Sequence, residues 1–121
     1  MKVYVGNDII EVDRIRESMR NEEFKKRVFT IEEIDYCEKK NENIRYQHYA
    51  ARFAAKEAIF KAISPQLKNK YNIGWKNIEI INEESGRPKV NIKEIELNIQ
   101  IDISISHIKD YAMATAVAVI Y

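Results

Sequence analysis

The run Ile99-Gln100-Ile101-Asp102-Ile103-Ser104-Ile105-Ser106 alternates apolar and polar residues without a break. Successive side chains of a strand point to opposite faces, so the pattern predicts a strand with one wall buried and the other wet. His107-Ile108-Lys109-Asp110 reads as the turn that follows it. Tyr111 to Ile120 then reads as a strand so apolar that both of its faces are expected to be covered. Upstream, Ile78 and Ile80 flank Glu79, and Glu83-Glu84-Ser85-Gly86-Arg87-Pro88 makes a turn before Val90 and Ile92. The second half of the chain is therefore expected to be antiparallel sheet.

The first half has a different period. Val3, Val5, Ile9, Ile10 and Val12 mark an opening strand, expected to be interrupted near Gly6-Asn7-Asp8, where glycine permits a bulge or a close backbone approach. Asp13 is expected to cap a helix carrying Ile15 and Met19, and Phe24, Val28 and Phe29 continue its apolar face. Thr30-Ile31-Glu32-Glu33 reads as a capping box opening a short helix through Ile34 and Cys37. After the polar loop 39–43, the longest helix is expected from about Ile44 to Ile63, where Ala, Arg, Lys and Glu dominate. Pro65 disfavours helical geometry at Ser64 and sets the end. The fold class is α+β, an antiparallel sheet with a long helix and shorter helices packed on it.

With 121 residues, 45% hydrophobic and 32% charged, the chain is expected to form one globular domain over 1–121. A single cysteine, Cys37, allows no internal disulfide and suits a reducing compartment. No basic-then-apolar leader and no stretch of about 18 uncharged apolar residues occur. The expected location is the cytoplasm, without a membrane partner. A net charge of +1 gives no reason to expect nucleic acid. One region is locally basic: Arg14 to Arg27 holds six bases against three acids. Such a run is either a solvated helix face or a docking patch for an acidic partner.

Glu57 and Lys61 lie four apart, on one face of the long helix. They read as a surface ion pair, or, given Phe53, Ala54, Ala58 and Phe60 nearby, as charges bordering a buried seam that require a partner or a metal. Arg52 and Lys56 form a neighbouring stripe. Asp8, beside a glycine in an apolar strand, is either a strand-end residue or a ligand. Two carboxylates from separate segments, without a Cys or His cluster, suit a hard cation such as Mg²⁺ whose shell phosphate oxygens complete. Ser106 and His107 are neighbours on a strand, point to opposite faces and cannot act as a nucleophilic pair. No Walker loop, dinucleotide fingerprint, zinc spacing or nucleophile elbow is present.

Five segments in order resemble the holo-acyl-carrier-protein synthases, the small bacterial type of 4′-phosphopantetheinyl transferase. They are Val5-Gly6-Asn7-Asp8-Ile9-Ile10-Glu11-Val12-Asp13-Arg14-Ile15, Phe29-Thr30 through Glu33-Ile34-Asp35-Tyr36-Cys37, Arg52-Phe53-Ala54-Ala55-Lys56-Glu57-Ala58-Ile59-Phe60-Lys61-Ala62, Gly86-Arg87-Pro88 and Ser104-Ile105-Ser106-His107. The resemblance implies that family's fold and a Mg²⁺-dependent transfer of phosphopantetheine from coenzyme A to a serine of apo-acyl carrier protein, with 3′,5′-ADP released. It implies Mg²⁺ ligands at Asp8 and Glu57, coenzyme A phosphate contact at Lys61, and Arg52 and His107 near the 3′-phosphate. Arg14 and Arg20 fall where the family grips the acidic helix of the carrier. It also implies a homotrimer with active sites between subunits. Asn7 and the glycine-poor segment 66–75 depart from the family pattern.

The general base is either Glu57 or a metal-bound water. Two other readings stand beside the transferase: a metal-dependent phosphohydrolase using the same carboxylates, and a small trimeric interaction module without catalysis.

Overall fold

The computed structural model describes residues 1–67, 73–94 and 98–121, so part of segment 66–75 lies outside the described residues. The chain runs β1 (Lys2–Glu11), α1 (Val12–Ser18), α2 (Glu22–Val28), α3 (Ile31–Glu38), α4 (Glu42–Ile63), β2 (Ile78–Asn82), β3 (Pro88–Ile92), β4 (Gln100–His107) and β5 (Tyr111–Ile120). The α+β expectation is borne out. β1, β5 and β4 form one antiparallel sheet in that order, and β2 with β3 forms a separate hairpin. Strands from the two ends of the chain thus pair with each other.

Small residues decide how closely α4 approaches the sheet. Ala54, Ala55, Ala58 and Ala62 of α4 meet Ala114, Ala116 and Ala118 of β5 in one buried cluster. Ile101, Ile103 and Ile105 of β4 extend this wall, as the alternation predicts, and Ile78 and Ile80 of β2 close it from the hairpin side. A second cluster under α1 to α3 gathers Val12, Ile15, Val28, Phe29, Cys37 and Tyr49. Its lid is held by local signals. Asn21 caps α2 through its side chain, and the Thr30–Glu33 capping box is complete.

Several expectations are corrected. β1 is not interrupted: every residue from Lys2 to Glu11 has a partner on β5, from Ile120 to Tyr111. Gly6 is required instead by the helix, because a Cβ there would collide with the Ala58 carbonyl and stand 2.8 Å from the Ala62 nitrogen. Asp13 does not cap α1; Glu11 occupies that position without a side-chain bond, and Asp13 pairs with Arg16 inside the helix. α4 begins at Glu42, two residues earlier than expected. His107 ends β4 rather than lying in the turn, which Ile108 closes by donating to the Tyr111 carbonyl at 2.8 Å.

β5 is covered on one face in the chain by itself. Its alanines are buried, while Tyr111 and Met113 are 48% and 45% exposed, next to Val5 and Ile9 of β1 at 62% and 64%. The helices all lie on the other side of this sheet, so apolar composition alone did not distinguish a covered face from an open one.

Candidate active site

Register places Asp8 on the same side of β1 as Gly6 and Ile10, the side that faces α4. Because Gly6 lets the helix approach, Lys61 reaches across from α4. Its Nζ donates to the Asn7 carbonyl at 2.9 Å and to Asp8 Oδ1 at 3.3 Å. Glu57, one turn earlier, lines the same cleft of about 410 Å³ as Asp8, with Arg14, Ser18, Phe24 and Phe53 around it. Burial pushes the Glu57 carboxyl above the ordinary glutamate range; the negative charge of Asp8 adds to this and Lys61 opposes it. Asp8 and Glu57, expected from separate segments, are thus close enough to repel.

Two half-buried carboxylates with one ammonium beside them form an oxygen-rich, net negative donor set. Among the described residues no group of three or more His, Cys, Asp or Glu side chains comes together. Hard oxygen donors fit Mg²⁺, which binds through one or two carboxylates and takes the rest of its shell from water and phosphate. The residues present therefore fit the ion that the sequence suggested.

A second pocket, about 230 Å³, lies between α3, α4 and the β4 end, lined by Tyr36, His48, Arg52, Asn82, Ile105 and His107 among others. Arg52 is buried, with its guanidinium 4.1 Å from the Tyr36 ring centroid and one NH₂ donating to Asn82 Oδ1 at 2.7 Å. Its Nε has no hydrogen-bond partner among the described residues. A guanidinium lining a pocket suits an anion. His107 stands beside it, with burial and Arg52 both lowering its proton affinity. Arg14 is exposed at the rim of the first cleft, whereas Arg20 lines neither pocket and pairs with Glu17 at 3.4 Å.

Some contributors were not expected from the sequence. Lys56, adjacent to Glu57, is fully buried and donates to the Val28 carbonyl (2.6 Å), Glu33 Oε1 (2.7 Å) and the Trp75 carbonyl (3.1 Å). Glu33 spends its second oxygen on the Ile80 N–H at 2.9 Å. The ion pair thus ties α2, α3 and β2 to α4 beside Glu57. The legible signal was a lysine among alanines on a buried stripe. Gln47, whose Oε1 lies 2.9 Å from His107 Nδ1, gave no such signal.

Comparison with known proteins identifies the family. The sequence model of the 4′-phosphopantetheinyl transferase superfamily matches residues 4–116. The holo-[acyl-carrier-protein] synthase of Ruminiclostridium cellulolyticum is 41% identical over 126 residues, covering 97% of this chain and 92% of that one. Among solved structures, a holo-(acyl-carrier-protein) synthase from Bacillus anthracis in complex with CoA (3′,5′-ADP) superposes with a TM-score of 0.84 at 29% identity, covering 98% and 96% of the two chains. The Chronobacterium ammoniagenes ACPS–CoA complex gives 0.85 at 25% identity, covering 100% and 99%. With the family model matching residues 4–116 and relatives aligned over nearly the full length, the chain belongs to the 4′-phosphopantetheinyl transferase superfamily, among the holo-[acyl-carrier-protein] synthases.

Proposed function

We propose that this protein transfers the 4′-phosphopantetheine group of coenzyme A to a serine hydroxyl of an acyl carrier protein, with Mg²⁺ held by Asp8 and Glu57. The observation that carries the reading is the convergence of Asp8 from β1 with Glu57 from α4 in one cleft, with Lys61 of α4 paired to Asp8. The serine oxygen bonds to the pantetheine-side phosphorus, the bond from that phosphorus to the bridging oxygen breaks, and 3′,5′-ADP leaves. Bound Mg²⁺ would neutralise charge on the pyrophosphate. Lys61, bonded to the Asn7 carbonyl and to Asp8, would place an ammonium against phosphoryl oxygens as they gain charge. Glu57 would take the serine proton through an oxygen that the ion leaves free, or a water on the ion would take it.

Arg52 and His107 bind the 3′-phosphate end of the co-substrate, through the buried guanidinium and the imidazole of the second pocket. Arg14 and Arg20 present charge to the carrier's acidic surface, Arg14 directly beside the cleft. The open apolar face of β1 and β5 is where further copies pack, giving a homotrimer with active sites between subunits. An apolar hollow of about 240 Å³ formed by Ile9, Ile108, Tyr111 and Met113, with Ser106 and His107 at its edge, supports this by offering a seat for a neighbour's side chains. The chain acts in the cytoplasm, in lipid biosynthesis. Among the described residues no helix is long and apolar enough to cross a membrane.

Mass spectrometry of apo-carrier incubated with the protein, coenzyme A and Mg²⁺ tests the reading. The carrier should gain one phosphopantetheine group, chelation should abolish the gain and Mg²⁺ restore it. Asp8→Ala and Glu57→Ala should each reduce transfer at least about a hundredfold while circular dichroism is unchanged. Cleavage of coenzyme A without modification of the carrier would identify a phosphohydrolase instead.

A further inference from the structure

We propose that His107 binds a phosphate group only as the imidazolium, so that phosphate-bearing ligand and one proton enter together, and that Gln47 enforces this by fixing the free histidine's tautomer. The inference rests on the proposed binding of the 3′-phosphate in the second pocket. His107 Nδ1 lies 2.9 Å from Gln47 Oε1. In this orientation of the Gln47 amide its oxygen accepts, so Nδ1 carries the hydrogen and the neutral ring leaves a lone pair on Nε2. A phosphate dianion also only accepts. An Nε2 lone pair facing it would repel, whereas a protonated Nε2 donates a charge-assisted hydrogen bond.

The surroundings keep the free ring neutral. Arg52 on α4 and burial both lower the proton affinity of His107. His48, also on α4, is T-shaped against it at 5.0 Å between centroids. Burial, then His107, Lys40 and Arg52 push His48 down to about 4, so it stays neutral and does not supply the proton. The other titratable groups facing this corner are Tyr36 from α3, which meets His48 edge-on, and Tyr111 from β5. No carboxylate among the described residues pairs with His107 in the way Gln47 does. An arriving phosphate therefore supplies the negative charge that the imidazolium lacks, and Arg52, which lines the same pocket, shares it. Gln47 acts through His107 and is a positioning residue.

Titration calorimetry of the full-length protein with coenzyme A and with 3′-dephospho-coenzyme A, at pH 7 to 8 in buffers of different ionisation enthalpy, tests this. A phosphomonoester is almost wholly dianionic there, since its second pKa is about 6. Uptake approaching one proton is expected for coenzyme A and none for the dephospho form, with affinity for coenzyme A falling up to about tenfold per pH unit. Gln47→Glu should place a carboxylate at Nδ1, charge His107 before the ligand arrives, and flatten both the uptake and the pH profile. Nitrogen-15 spectra should show an Nδ1–H tautomer in the free protein and an imidazolium with coenzyme A bound. Tight coenzyme A binding without proton uptake, or with equal uptake for the dephospho form, overturns the inference and leaves the transferase reading intact. Failure of coenzyme A to bind at all removes both.

Discussion

Lys56 and Glu57 are adjacent in sequence and opposite in use. Glu57 faces the cleft, whereas Lys56 is sealed beneath it with all three ammonium hydrogens engaged. Burial lowers the proton affinity of Lys56 and Glu33 opposes this, but only the charged form can satisfy one carboxylate and two carbonyls together. Removing one member strands the other, and breaking such a pair costs about 3–5 kcal/mol. Lys56→Met should therefore lose roughly that much stability in urea unfolding. Lys56→Met with Glu33→Gln should recover part of it, because no full charge is then left buried. A loss below about 1 kcal/mol for the single variant would mean the pair is not a support. Sequence reading reached half of this residue: the capping box accounted for one oxygen of Glu33, while its bonds to Ile80 and Lys56 span 47 and 23 positions.

At the scale of elements, the decisive contact is between α4 and β1. Helix and strand each follow from local pattern, but their separation follows from Gly6 and the facing alanines. The proposed catalytic arrangement depends on it, since Lys61 bonds to Asn7 and Asp8 only across this narrow gap. Gly6→Ala should push the two apart, costing about 1–3 kcal/mol as overpacking does. Transfer should fall by more than the lost stability explains, at a temperature where the variant is still folded. Unchanged melting and turnover would show that the gap has room to spare. The sequence allowed Gly6 to mark either a bulge or a close approach; only the intact ladder of β1 with β5 selects the second.

On the scale of the whole molecule, the open apolar face of β1 and β5 needs a cover that the described residues do not supply. Met113→Asp places a charge in the middle of that face, beyond the reach of the alanine core. Light scattering should then report a lighter particle than the wild type, with unchanged secondary structure by circular dichroism. Transfer should drop as well if a neighbouring copy completes the site. An unaltered particle mass would assign the face to something other than self-association.

Local pattern in the chain was enough to determine the alternating strand β4, the capping box at Thr30 and the long helix, because these depend on neighbours within a turn or a pleat. Tertiary structure alone decided that β1 runs unbroken, that β5 is open on one side, that Lys56 lies buried against Glu33, and that Gln47 holds His107. These are contacts between residues distant along the chain. They are settled by which surfaces pack and how closely, and periodicity carries no information about that.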